Sequence, residues 1–249
     1  MTISLITPTY NSAATLRDTL ASVAGQTYRD REYIIVDNVS TDETLKIIEE
    51  YRERLKIILI SEPDEGIYDA LNKGINRATG AIIGILNSDD FYKNNTVLEK
   101  IAAGFRDNPD SEACYGDLEI INPAATGKIV RFWKAGAYRE KKLDSGWIIP
   151  HPTFFVRREI YEKFGAYRTE FRLAGDYELL LRLLKIHHLK TIYRPETLVS
   201  MRAGGRSGRN WRQRIKGWRE LRLAWKVNDL KVPPFFILRR ILFKIIQYL

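Results

Sequence analysis

Apolar and polar positions alternate between two rhythms along the first hundred residues. Residues 3–7 form a short apolar run that predicts a strand; after Asn11 and Ser12, which can cap, Leu16, Leu20 and Val23 recur at helical spacing as far as Gly25. Tyr33-Ile34-Ile35-Val36 predicts the second strand. Ser40-Thr41-Asp42-Glu43 reads as a capping box opening a helix through Leu45, Ile48 and Tyr51. Residues 56–60 and 81–86 predict two more strands, on either side of a helix over 67–78 that sets Leu71, Ile75 and Ala78 on one face. This β-α-β order implies a parallel sheet covered on both faces, with ligands at the carboxyl ends of the strands.

After Asp90 the rhythm changes. A helix is predicted over 96–105, a hairpin from residues 118–121 and 128–133 around Asn122-Pro123 and Gly127, a helix over 177–188, and extended segments at 191–194 and 197–201. From Asn210 the pattern is helical, broken at Pro233-Pro234. Neither an internal repeat nor a flexible linker interrupts the chain. One compact domain over residues 1–205 with a helical tail over 206–249 is therefore expected.

Polar residues follow three predicted strands: Thr7-Pro8-Thr9-Tyr10-Asn11, Asp37-Asn38 and Asn87-Ser88-Asp89-Asp90. Strand ends commonly carry polar turn residues, but a parallel sheet gathers these at one edge, with an adjacent carboxylate pair on the fourth strand. The composition agrees with an enzyme core: 249 residues, 45% hydrophobic and 29% charged, exclude a disordered or fibrous chain. Cys114 stands alone, which excludes an intrachain disulfide and a cysteine-rich metal site. Residues 1–10 enter a strand without the features of a signal peptide, so cytoplasmic residence is the expectation. The net charge of +9 is unevenly spread: residues 202–249 hold thirteen Lys and Arg against Glu220 and Asp229, so the rest of the chain is slightly acidic.

Three sets of residues together resemble a known family: Ser4-Leu5-Ile6-Thr7-Pro8-Thr9-Tyr10-Asn11; Ile35-Val36-Asp37-Asn38-Val39-Ser40-Thr41-Asp42; and the stretch from Glu62-Pro63-Asp64 through Gly66-Ile67-Tyr68-Asp69-Ala70-Leu71-Asn72-Lys73-Gly74-Ile75 to Leu86-Asn87-Ser88-Asp89-Asp90. The chain over roughly residues 3–205 is similar to family 2 glycosyltransferases of the GT-A fold. The resemblance implies an α/β fold with a mostly parallel central sheet flanked by helices and a C-terminal helical appendage. Residues 1–90 would be the nucleotide-sugar half and 91–205 the acceptor half. It implies a nucleotide-sugar donor, a UDP-sugar first, and a Mn²⁺ or Mg²⁺ cofactor. Pro8, Thr9, Tyr10, Asn11, Asp37, Gly66, Asn72, Asn87, Ser88 and Asp89 would bind the donor, with Asp37 on the base and Asp89 and Asp90 as metal ligands. Asn87 and Gly175 depart from the family, whose members often have Asp and Glu there.

Asp176, within Ala174-Gly175-Asp176-Tyr177-Glu178-Leu179, matches the family's catalytic acidic motif, which implies a general base and inversion at the anomeric carbon. Asp176 also precedes a predicted helix and could cap it. Trp147 and His151 are candidates for the acceptor site, and Arg202 and Arg206, beside a Gly-rich loop over 204–208, for contact with the pyrophosphate. Gln213-Arg214-Ile215-Lys216-Gly217-Trp218 departs from the motif of processive members, so transfer of a single sugar is expected. The acceptor would be a glycan or lipid-linked sugar of an envelope or capsular pathway.

Two rivals come from the residues themselves. A basic-tailed nucleic-acid protein would use Trp211, Trp218 and Trp225, but leaves the strand-end Asp residues unexplained. A nucleotidyltransferase would show a Gly-rich loop after the first strand, and Thr7-Pro8-Thr9-Tyr10-Asn11 has no Gly. In the tail, Arg239, Arg240, Lys244 and Gln247 fall in one sector of about 140° on a helix over 235–249. At about 22 Å that helix is too short to span a bilayer, so it is expected to lie on an anionic membrane surface. Packing on the catalytic domain or across a homodimer is the alternative.

Overall fold

The structure is a computed structural model that describes residues 1–204 and 211–246. Strands and helices alternate through β1 (Ile3–Thr9), α1 (Leu16–Ala24), β2 (Arg31–Asp37), α2 (Thr44–Glu50), β3 (Ile57–Ser61), α3 (Ile67–Arg77) and β4 (Ile82–Ile85). The chain continues with β5 (Phe91–Tyr92), α4 (Val97–Asp107), β6 (Ala113–Asn122), β7 (Ala125–Trp133), α5 (Glu140–Asp144), β8 (Phe155–Arg157), α6 (Arg158–Phe164) and α7 (Gly175–Leu181). It ends with β9 (Thr191–Arg202), α8 (Trp211–Lys226) and α9 (Phe236–Ile246).

One sheet runs β3-β2-β1-β4-β8-β6-β9-β5. Its first four strands are parallel, and β9 is parallel to β6. One edge of β6 carries β8 at its start and β7 further along, both antiparallel. Period-two burial explains the two layers: Ile6, Ile34, Val36, Ile83 and Ile85 join one apolar cluster, while Ile3, Leu5, Tyr33, Ile35 and Ile82 join the other. Cys114 is buried in the second cluster, and burial pushes its thiol up to about 12, which leaves it unreactive.

Two local expectations fail for identifiable reasons. The capping box before α2 does not form: the Ser40 hydroxyl donates to Asp37, and Asp42 Oδ1 instead accepts the Thr44 amide at 3.0 Å. The helix expected over 177–188 is regular only to Leu181 and widens into a π-type turn over Arg182–Ile186. At that turn the buried Arg182 guanidinium bonds Glu178 and the carbonyls of Phe164, Gly165 and Ala166, tying the helix to the end of α6.

The tail is not a free appendage. Leu221, Ala224, Trp225 and Phe236 are buried in the same cluster as Tyr68 and Tyr177. Trp225, 1% exposed, donates from Nε1 to Tyr177 Oη at 3.0 Å, and its ring meets Phe236 edge-on at 5.6 Å. Arg240 is turned inward as well, donating to the Gly146 carbonyl at 2.9 Å and lying over the Tyr177 ring. Gly146, at φ +85°, admits this approach because a β-carbon there would stand 2.7 Å from Arg240 Cβ. Of the polar residues expected to share one face of the tail helix, Arg240 thus faces the protein while Arg239 and Lys244 are exposed, and Phe235, Leu238, Ile241 and Leu242 face outward. Among the described residues no helix is long and apolar enough to cross a membrane.

Docking of α8 through Trp225 predicts unequal costs along one helix. Trp225→Ala should lower unfolding stability by about 3–5 kcal/mol, whereas Trp218→Ala, at a position 38% exposed, should stay within about 0.5 kcal/mol. Urea titration followed by circular dichroism measures both, and coincident midpoints would show that α8 does not share the core.

Candidate active site

The parallel register sets Thr9, Asp37 and Ser61 side by side at the carboxyl ends of β1, β2 and β3. Asp37 is wholly buried: one oxygen accepts the Ser40 hydroxyl at 2.5 Å, the other the Ser40 amide at 3.0 Å and the Ser61 hydroxyl at 2.8 Å. The Asp37 carboxylate thus holds the loop after β2 at the sheet edge where the donor's base is expected. Asn11, at φ +47°, turns its side chain to the Thr41 amide at 2.9 Å and so fastens the loop after β1 to the loop after β2. Pro8 and Thr9 are buried within β1, the Thr9 hydroxyl without a hydrogen-bond partner, while Tyr10 is 58% exposed. Of these residues Tyr10 and Thr9 remain as a wall for a base.

Beyond β4 the chain has left the strand by residue 86, so Asp89 and Asp90 belong to a turn and are not constrained to opposite faces. Asn87 donates to Asp90 Oδ2 at 3.0 Å, and the Asp90 amide returns to the Asn87 carbonyl. Asp90 is 1% exposed and its Oδ1 is buried without a partner; burial and the neighbouring Asp89 push its carboxyl well above the usual carboxylate range. Asp89 is partly exposed and is raised by burial too. The backbone of this turn is held from three sides. Thr15 donates to the Ser88 carbonyl at 2.9 Å, Thr19 to the Asp90 carbonyl at 2.7 Å, and Arg202 to the Asp89 carbonyl at 2.6 Å.

Arg202 is therefore not free for a pyrophosphate: it is buried, bonded to Asp89 and Asp18, and stacked on Phe91. Ser88 shares a hydroxyl hydrogen bond with Ser12 at 2.9 Å. Arg206 lies outside the described residues. Two carboxylates, one with an orphaned buried oxygen, fit a hard divalent cation. Among the described residues no cluster of three or more His, Cys, Asp or Glu side chains could hold an ion.

The third part of the site lies where α7 meets α3. Ala174, not Asp176, occupies the cap position of α7, and Asp176 lies in its first turn, accepting from Tyr68 Oη at 3.4 Å. Burial and the Asp176 charge push the Tyr68 hydroxyl well above its ordinary range, which keeps it a proton donor. Gly175 follows from the same contact: a β-carbon there would lie 2.8 Å from the Tyr68 ring. Tyr68 stacks on Tyr167 at 5.5 Å, and Tyr167 Oη shares a 2.5 Å hydrogen bond with His151 Nε2. Burial lowers the His151 pKa and favours the neutral ring. His151 thus belongs to the cluster around Asp176, with one ring nitrogen engaged.

Two further candidates are structural. Asn72 bonds the Tyr167 backbone with both ends of its amide, at 2.8 and 2.9 Å, and so ties α3 to that loop. Trp147 is 1% exposed with Nε1 on the Ala135 carbonyl at 2.8 Å, so its ring presents no free face to a sugar. Gly66, at φ +126°, starts α3 beside Arg172, and both line a cleft with Tyr68, Phe171, Gln213 and Lys216. Sequence reasoning missed Tyr68, Tyr167, Arg172 and Glu220 as members of this site. For Glu220 a signal existed, since it is the one acid between Arg202 and Asn228.

Comparison with known proteins bears on this geometry. Residues 4–165 match the family described as Glycosyl transferase family 2. The chain is 33% identical over 192 residues to a PGL/p-HBAD biosynthesis glycosyltransferase of Mycobacterium bovis, covering 76% of this chain and 72% of that protein. It is 34% identical, with the same coverage of both, to the Escherichia coli UDP-Glc:alpha-D-GlcNAc-diphosphoundecaprenol beta-1,3-glucosyltransferase WfgD. Its fold is that of the mannosyltransferase PcManGT from Pyrobaculum calidifontis, solved with GDP-Man and Mn²⁺, at a TM-score of 0.68 and 22% identity over 95% of this chain and 67% of the other. With the strand-end carboxylates on a GT-A sheet and the family match across most of that sheet, the chain belongs to glycosyltransferase family 2 and is a glycosyltransferase.

Proposed function

We propose that this enzyme moves one sugar from a nucleotide-diphosphate donor, a UDP-sugar, to a hydroxyl of a lipid-linked or glycan acceptor, with inversion. The observation that carries the reading is Asp176 at the head of α7, partly exposed and hydrogen-bonded to Tyr68 at the wall of the cleft. The acceptor oxygen attacks the anomeric carbon and its proton passes to an Asp176 oxygen. The bond from that carbon to the phosphate oxygen breaks, and the electron pair leaves with the nucleoside diphosphate. Tyr68 steadies the carboxylate by donating to it, and the neutral His151 with Tyr167 keeps Tyr68 in place. Asp89 and Asp90 would hold Mn²⁺ or Mg²⁺, whose charge stabilises the departing diphosphate. WfgD supports both the UDP donor and a lipid-linked acceptor, and PcManGT supports the metal.

Asp176→Asn keeps the shape and removes the basicity, so turnover should fall by about 10²-fold or more with donor affinity unchanged. Full activity in the folded variant would refute the role, and retention of anomeric configuration by NMR would refute inversion. Asp89→Ala should abolish the part of donor affinity that depends on Mn²⁺. Calorimetry with Mn²⁺ and with EDTA reads it, and equal donor binding by the native enzyme in both would remove the metal.

The lipid-linked acceptor requires the enzyme to work at a bilayer, and α9 suits that. Phe235, Leu238, Ile241 and Leu242 project from the body, flanked by exposed Arg239 and Lys244. Apolar side chains insert at the headgroup boundary, and each basic residue near an anionic surface adds about 1 kcal/mol. Leu238→Glu with Leu242→Glu should abolish flotation with anionic vesicles while turnover of a water-soluble acceptor persists. If the native chain stays with the soluble fraction and sediments as a dimer, α9 is a subunit contact.

A further inference from the structure

The N-terminus of α7 poses a problem that its own sequence does not solve. A helix start leaves amide donors without partners, and Ala174 at the cap position has no side-chain acceptor to offer them. The amides of the cap residue and of the two residues before it find an acceptor on α8, far along the chain. Glu220 Oε2 receives the amides of Arg172, Leu173 and Ala174 at 3.1, 2.7 and 2.9 Å, three consecutive N–H groups converging on one oxygen. Glu220 is 8% exposed, so these charge-assisted bonds are shielded from water.

The three amides lie immediately before Gly175 and Asp176. Phe171, Arg172 and Leu173 also form one wall of the cleft whose opposite wall is Gly66, Ile67 and Tyr68. Thus the segment that Glu220 pins carries the base at one end and shapes the cleft along its length. Docking of α8 itself does not need this carboxylate, because Trp225, Leu221 and Ala224 are buried and Asn228 bonds Glu178 at 3.1 Å.

We infer that Glu220 is a positioning residue for Asp176, and that α8 is a working part of the active site. The inference rests on the reading of Asp176 as base. In the full-length enzyme, Glu220→Ala should lower kcat by about 10-fold or more with donor affinity by calorimetry unchanged. Glu220→Gln, which keeps a carbonyl acceptor, should recover kcat to within about threefold of the native value. Asn228→Ala loosens α8 without touching the 172–174 amides and should reduce melting temperature while preserving kcat. Independently of activity, hydrogen exchange at the Arg172, Leu173 and Ala174 amides should accelerate in Glu220→Ala and not in Asn228→Ala.

Unchanged exchange at those amides, or a Glu220→Ala enzyme with native kcat, would overturn the inference. So would a Glu220→Gln enzyme as slow as Glu220→Ala, since the acceptor and not the shape of the residue is the point. The two readings fail separately. An active Asp176→Asn enzyme removes the base, whereas an inactive Asp176→Asn beside a fully active Glu220→Ala removes only the positioning role.

Discussion

A ring packed where a β-carbon at residue 175 would stand 2.8 Å away leaves room for hydrogen alone, and this contact brings the two halves of the enzyme together. Tyr68 lies in the first turn of α3, and Gly175 opens α7. Because Gly175 has no side chain, the first turn of α7 approaches α3 closely enough for Asp176 to accept from Tyr68. Asn72, one turn further along α3, binds both backbone polar groups of Tyr167 and fixes the ring that stacks on Tyr68. A side chain at 175 would force these elements apart, and the base would move with them.

The same economy governs the strand ends. Several polar residues that a ligand could have claimed are consumed in holding backbone: Asp37 by Ser40 and Ser61, Asn11 by Thr41, Arg202 by Asp89 and Asp18. Buried polar groups must find partners, and loops at a sheet edge have few regular ones. What remains uncommitted is correspondingly informative. The orphaned Asp90 Oδ1, the partly exposed Asp89 and the exposed Tyr10 are the groups at this edge that hold no loop in place, and the proposed donor and cation would draw on them.

Much of the architecture was legible in the chain because it depends on near neighbours. Period-two and period-3.6 patterns predicted β1 to β4 and the helices between them, and the carboxyl-edge rule put Asp89 and Asp90 at one end of the sheet. The parts that were not legible depend on partners distant in sequence. Residue type alone does not tell that Trp147 is buried with its indole N–H on the Ala135 carbonyl, or that Asp37 accepts from Ser40 and Ser61. The tail's amphipathic pattern was plain, yet which side faced the body was not. Arg240 finds a carbonyl at Gly146 and a ring at Tyr177 and so turns inward, while Arg239 and Lys244 stay exposed. The break of α7 at Leu181 escaped for a similar reason, since Arg182 answers to the carbonyls at the end of α6 rather than to its own helix.

The docking of α8 also bears on the order in which the enzyme becomes competent as it is made. The strand-end carboxylates and Asp176 are synthesised before residue 220 exists, so the nascent chain holds them while the amides of residues 172–174 still lack their acceptor. The outward apolar row on α9 emerges after Glu220. Translation therefore supplies the acceptor for these amides shortly before the outward apolar row, and a chain cut short by premature termination before α8 would hold Asp89, Asp90 and Asp176 without Glu220 to receive the amides of residues 172–174.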